Sequence, residues 1–285
     1  MYQSHFGLCQ APFTLTPNTA LFHALPPHLE AIQTVLAALE MGEGIIQISG
    51  EVGTGKTLVC RMLINQLPER FDLAYLPTPA MDGHELRAAL AKELNLSREG
   101  ELDLTDSTAL TERIHHELIR RKAQGQSVVV LLDEAQALPD EALEVIRLLG
   151  NLETEQEKLL HIVLFGQPEL DERLSQHQLR QFRQRITFRA DLRSLDLAET
   201  ISYIEHRLER VGCETPLFSL AQYRALWKSS QGIPRVINQL CHKALIAAYS
   251  SNNRMVSRKE LLMAIKDTLG ARQPTCTYPV LWGWH

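Results

Sequence analysis

The sequence predicts an α/β protein, with a parallel sheet in a first domain and a smaller all-helical domain after it. Three observations carry that expectation. The apolar run Ile45-Ile46-Gln47-Ile48-Ser49 ends in Gly50-Glu51-Val52-Gly53-Thr54-Gly55-Lys56-Thr57, and helical spacing starts at once with Leu58, Val59, Met62 and Leu63. Further apolar runs alternate with helical stretches, the arrangement of βαβ units around a parallel sheet. From about Asp196 onward only helical periodicities remain.

Taken in order, residues 1–27 are rich in Pro and aromatic residues, including Phe6, Pro12, Phe13, Pro17, Phe22, Pro26 and Pro27. They read as an ordered segment packed on the first domain. Helical spacing over 28–41 (Leu29, Ile32, Leu36, Leu39) leads into the strand at 45–49. A second strand is predicted over Phe71–Leu76, closed by Pro77 and Pro79, with helices at about 83–95 and 107–124. Val128-Val129-Val130-Leu131-Leu132 is a run of five apolar residues, as expected of a strand buried on both faces, and it ends in Asp133-Glu134. Pro139 is expected to open a helix to about Leu152. Ile162–Phe165 is another buried strand, ending at Gly166-Gln167-Pro168, and a short one follows at Ile186–Phe188.

Helices are then predicted at about 196–211, 219–229, 234–250 and 257–268. The expected organisation is an α/β domain over 1–191, a helical lid over 192–269 and a flexible tail over 270–285. That tail has no period and contains Pro274, Pro279, Trp282 and Trp284.

Composition is that of a soluble globular chain, 45% hydrophobic and 22% charged. No apolar run approaches the length of a membrane span, and no basic-then-apolar leader opens the chain. Five scattered cysteines (Cys9, Cys60, Cys213, Cys241, Cys276) without a C-x-x-C pair read as buried thiols in a reducing, cytoplasmic compartment. Residues 1–170 hold 12 Lys and Arg against 24 Asp and Glu, whereas residues 171–285 hold 17 against 10. Such asymmetry suits facing surfaces of neighbouring subunits, or a second half that meets an anion.

The glycine segment is built for phosphate. Gly50, Gly53 and Gly55 allow positive φ and close backbone approach, so that N–H groups from Gly50 to Leu58 can point at phosphate oxygens at a helix N-terminus. Lys56 supplies charge for the β- and γ-phosphates, and the Thr57 hydroxyl can ligate Mg²⁺. Asp133 is placed to hold the Mg²⁺ shell, and Glu134 to polarise an attacking water as general base. Gln167, at a strand tip expected beside the glycine-loop strand, can reach the γ-phosphate or that water.

Three arginines, Arg180, Arg183 and Arg185, crowd the stretch before the last strand. One of them, Arg185 first, is expected to enter a neighbouring subunit's site and stabilise transition-state charge. Arg235, opening a lid helix in Gly232-Ile233-Pro234-Arg235, is expected to reach the γ-phosphate of its own subunit.

Together these features resemble the AAA+ ATPases. A narrower set resembles the ExeA-like (general secretion pathway protein A) ATPases, including the members that serve mannose-sensitive haemagglutinin pilus biogenesis. It comprises His5-Phe6-Gly7, Pro12-Phe13, Pro17, the Gly50–Thr57 loop, Leu132-Asp133-Glu134-Ala135-Gln136, Gly166-Gln167-Pro168-Glu169-Leu170, Leu179–Ile186 and Gly232–Arg235. The resemblance covers about residues 1–270. It implies sheet order 5-1-4-3-2, ATP as nucleotide with Mg²⁺, and a homo-oligomeric ring. It also implies service to assembly of a type IV pilus or secretion machine at the inner membrane.

Members with a membrane span and a peptidoglycan-binding region after the ATPase differ from this chain, so membrane association is expected only through partners. Two other readings stay open. One is a DNA-associated ATPase, suggested by the basic second half; the other is a nucleotide-gated scaffold with little turnover.

Overall fold

The computed structural model describes residues 2–14, 21–77, 81–96, 106–155, 157–277 and 282–283. Pro17, Pro79, Pro279 and Trp284 lie outside them. The chain forms two compact units. An α/β unit comprises His28–Glu51 and Val59–Leu192, and a helical unit comprises Met1–Pro27, Val52–Leu58 and Arg193–His285.

The α/β unit is built on five parallel strands: β1 (Ile45–Gly50), β2 (Phe71–Leu76), β3 (Ser127–Leu132), β4 (Leu160–Gly166) and β5 (Ile186–Leu192). Their order, β2-β3-β4-β1-β5, is the 5-1-4-3-2 order expected from the family resemblance. Alternation within β3 explains its unbroken apolar run. Val129 and Leu131 pack with α2 (Pro26–Glu40) and α3 (Lys56–Gln66). Val128, Val130 and Leu132 face α4 (Gly83–Glu93), α5 (Ser107–Ala123) and α6 (Asp140–Leu149). Each such buried Val or Leu favours folding by about 1.5–3 kcal/mol over exposure.

β4 and β5 extend beyond the runs that predicted them. In β5 the polar residues Thr187, Arg189 and Asp191 alternate with Phe188, Ala190 and Leu192, the pattern of an edge strand with one covered face. The helices α7 (Pro168–Leu174) and α8 (Arg180–Arg183) complete the unit.

The helical unit holds α9 (Leu197–Glu209), α10 (Leu220–Ser230), α11 (Pro234–Ser250) and α12 (Arg258–Lys266), close to the predicted spans. Capping boxes open three of them: Asp196 with Glu199, Ser219 with Gln222, and Ser257 with Glu260. Pro234 occupies the first turn of α11, where no N–H is needed.

The opening segment differs from its expected place. Its helix α1 (Tyr2–Phe6) and the side chains of Leu8, Phe13, Leu21 and Leu25 enter the core of the helical unit, beside Ile204, Leu240 and Leu245. Tyr2 Oη lies 3.1 Å from His242 Nδ1, Arg207 Nη1 donates to the Pro12 carbonyl at 2.7 Å, and Asn238 Nδ2 donates to that of Thr14 at 3.3 Å. The aromatic residues Tyr2, Phe6 and Phe13 thus join a core that α9–α12 build largely from their own apolar faces.

Two further expectations change. Cys60 and Cys241 are buried, but Cys9 is exposed and Cys213 is only half-buried at the margin of the helical core. In the tail, Cys276–Thr277 pairs antiparallel with Trp282–Gly283, a pairing no periodicity announced.

Candidate functional site

β1 ends in the glycine loop, and α3 begins at Lys56. Gly53 (φ +87°) and Gly55 (φ +108°) occupy backbone conformations that side-chain-bearing residues avoid. Gly50 does not: it closes β1 in register with Leu192, so only two of the three glycines use positive φ. Thr54 and Lys56 are buried, Gly53, Gly55, Thr57 and Leu58 are half-buried, and Glu51 and Val52 are exposed. The Leu58 amide donates to the Gly55 carbonyl at 2.9 Å, tightening the first helical turn.

Arg235 belongs to the same unit as this loop. Its main-chain N–H donates to the Gly53 carbonyl at 3.2 Å, and a Cβ added to Gly53 would stand 2.6 Å from Arg235 Cβ. The Arg235 side chain is exposed. Gly232 (φ +72°) makes the approach possible, because a Cβ there would fall 2.0 Å from the Leu195 carbonyl oxygen.

In the α/β unit, residues after β3 and β4 meet at the carboxyl ends of the strands. Asp133 is buried; its N–H donates to the Leu76 carbonyl at 3.3 Å, and its Oδ1 accepts the Glu134 N–H at 2.9 Å. Glu134 is left-handed, φ 53° and ψ 36°, an unusual backbone for a residue with a side chain. That geometry turns its carboxylate toward β4, where Glu134 Oε2 accepts Gln167 Nε2 at 3.0 Å and Gln136 Nε2 at 2.6 Å.

Gln136 Oε1 in turn accepts the Gln167 N–H at 3.1 Å. Gln136 has no assigned role in the sequence reading, although it lies two residues past Glu134 within Asp-Glu-Ala-Gln. Asp133 is also close to α3: burial first, then the Asp133 charge, push the thiol of Cys60, one turn past Lys56, up to about 12.

The three candidate arginines are placed elsewhere. Arg180 and Arg183 are exposed on α8, and Arg185 is exposed just before β5. Ile186 pairs with Ile45, so Arg185 lies at the amino end of the sheet, opposite the Glu134–Gln167 pair. The structure does not bring it to the carboxylates of its own chain.

The donor types present are those a magnesium–nucleotide pair uses. Mg²⁺ bound with phosphate oxygens keeps several waters and needs only one or two protein ligands. A hydroxyl at Thr57 and a buried carboxylate at Asp133 are donors of that kind. Among the described residues no group of three or more His, Cys, Asp or Glu could cage a metal, and no helix is long and apolar enough to cross a membrane.

Comparison with known proteins agrees with this geometry. Residues 39–174 match the family model of the AAA domain. The chain is 39% identical over 272 residues to general secretion pathway protein A of Aeromonas hydrophila, covering 95% of this chain and 49% of that protein. It thus spans about half the length of the curated relative it matches.

Among solved structures, Drosophila ORC bound to DNA superposes with TM-score 0.67 at 18% identity, over 93% of this chain and 65% of that one. Cdc6p from Pyrobaculum aerophilum gives 0.67 at 16% identity, over 90% and 70%. The RuvB Holliday junction branch migration motor of Thermotoga maritima gives 0.57 at 15%, over 89% and 73%. At these identities the likeness is one of fold.

Proposed function

We propose, from the premise that this chain belongs to the AAA family of ATPase domains and is related to general secretion pathway protein A, that it binds and hydrolyses ATP with Mg²⁺. The output is to drive or switch assembly of a type IV pilus or secretion machine at the inner membrane. The observation that carries this reading is the Glu134–Gln167 hydrogen bond at the carboxyl ends of β3 and β4, in a sheet whose neighbouring strand β1 ends in the glycine loop.

In this proposal main-chain N–H groups of 50–58 and Lys56 hold the phosphates. Thr57 and Asp133 hold the magnesium and its waters. Glu134 accepts a proton from the attacking water while Gln167 orients that water against the γ-phosphate. In the present arrangement Glu134 Oε2 is shared by two glutamine amides, and a nucleotide that draws Gln167 away removes one of them. Arg235, tied to Gly53, senses the nucleotide in its own subunit. Arg185, exposed at the far end of the sheet, serves a neighbour in a homo-oligomeric ring.

Phosphate release with Mg²⁺ and ATP tests the reading directly. Wild type turns over, and Glu134→Gln binds nucleotide without turnover. Equal turnover in both would reject the assignment. Recovery of envelope-assembly proteins with the ATP-bound chain from its host tests the partner class.

A second reading, a DNA-associated ATPase, is favoured by the net positive charge of residues 171–285. It requires DNA binding that weakens steeply with salt. Absence of binding at low salt removes it.

A further inference from the structure

β1 is an interior strand that carries two buried polar side chains, Gln47 and Ser49. Left without partners such groups would cost stability, and both find one carboxylate. Asp171 Oδ1 accepts Gln47 Nε2 at 2.8 Å, and Oδ2 accepts Ser49 Oγ at 2.7 Å. Arg189, opposite Gln47 on β5, closes on the same group with Nη1 2.8 Å from Oδ1 and Nη2 2.9 Å from Oδ2. Such a two-pronged guanidinium–carboxylate pair fixes orientation as well as distance.

Asp171 stands in α7, one turn after Gln167, which forms the N-cap of that helix. The same turn is pinned from its other side. A Cβ on Gly166 would lie 2.6 Å from Leu170 Cδ2, so the helix sits directly on the end of β4. Ser49 is followed by Gly50, where the glycine loop begins.

We infer that Asp171 is a positioning residue for the nucleotide site. Its carboxylate holds the Gln167 end of α7 in register with the strand that delivers the glycine loop, and through Arg189 it ties both to the edge strand β5. The inference rests on the proposed meeting of Gln167 with the γ-phosphate. A displacement of about 1 Å at such a group costs up to roughly 100-fold in rate. Asp171→Asn keeps the size of the side chain and removes the charge that gathers four donors. A role confined to satisfying buried polar groups would lower thermal stability and leave nucleotide discrimination alone.

The test uses the full chain, with fluorescent ATP and ADP analogues in Mg²⁺, alongside phosphate release. Gln167→Ala and Asp171→Asn are each expected to compress the ATP-over-ADP preference in Kd by about tenfold, to raise KM for ATP in step, and to lower kcat. The double variant is expected to fall no further than Gln167→Ala alone, because both changes act through one amide. Asp171→Glu, which retains the charge, recovers part of the loss. If Asp171→Asn does not fold, Ser49→Ala and Arg189→Ala remove donors singly and show the same direction.

Wild-type discrimination and kcat in Asp171→Asn, or losses that add fully in the double variant, overturn the inference. A wild type without ATP preference overturns it together with the role of Gln167. Lost discrimination in Asp171→Asn, in a wild type that binds but does not hydrolyse, upholds it while rejecting turnover.

Discussion

The main-chain N–H of Arg235 donates to the carbonyl of Gly53 at 3.2 Å, so the opening of α11 rests on the glycine loop itself. A methyl group at Gly53 would meet Arg235 Cβ at 2.6 Å and strain a backbone at φ +87°. Gly53→Ala is therefore expected to weaken ATP binding by more than about tenfold, since both loop shape and its neighbour must shift. Arg235→Ala keeps the main-chain contact and is expected to lower turnover more than affinity. Titration with a fluorescent nucleotide, beside phosphate release, separates the two.

Glu134→Gln preserves a side chain that can occupy the same left-handed turn, but replaces a carboxylate bonded to two amides. ATP binding within about threefold of wild type, with turnover reduced by at least roughly 100-fold, is the outcome expected from loss of a general base. Single-turnover phosphate release measures it.

Arg185→Ala is expected to lower turnover by about 100-fold or more with affinity nearly intact, as for an arginine acting on transition-state charge. Because Arg185 is remote from its own Glu134, mixing Arg185→Ala with Glu134→Gln should restore activity that neither variant has alone. Lack of complementation, in a mixture shown to co-assemble, would place the arginine's role elsewhere.

Gly232 combines φ +72° with a Cβ position only 2.0 Å from the Leu195 oxygen. Backbone, rather than a movable side chain, stands in the way. Gly232→Ala is expected to destabilise the helical unit by more than about 2 kcal/mol. Chemical unfolding followed by circular dichroism provides the measurement.

Stability should also depend on mild acid. His161 on β4 is buried and its Nδ1 contacts the Glu43 carbonyl at 2.6 Å; burial, the leading cause, holds its pKa below the usual 6.5. The unfolded chain then binds the proton more readily. Stability contributed by the neutral ring is complete above 6.5 and is lost as pH falls from there through the folded value. Urea unfolding at pH 7.5 and 5.5 should show the loss. His161→Gln should reduce it without abolishing it, since burial also holds His242 down.

Much of this was legible in the residues because the signals were local. The five-residue apolar run of β3 required burial on both faces, and helical periodicity from about Asp196 onward marked α9–α12. Glu134 and Gln167 were legible for a different reason: both fall at the ends of parallel strands, where the topology gathers groups. Gln136 was not, since its contact depends on the left-handed turn at Glu134, which no propensity announces. The place of residues 2–14 was hidden because aromatic residues without a period show that a segment is buried, but not against which partner. Asp171 escaped for a similar reason, as one acidic residue in a charged helix gives no sign of buried donors in a strand over a hundred residues earlier.

The burial of Tyr2 and Phe6 in a core completed by α9–α12 sets an order of events during synthesis. About 180 residues separate the two parts of that core, which at 5–20 residues per second leaves the first helix waiting on the order of 10–40 s. The α/β sheet can close in that interval, while an amphipathic aromatic strip remains available to a chaperone or to a wrong neighbour. Removing residues 2–14 would leave a hole in the core of the helical unit, and a bulky fusion at that end would compete with its closure.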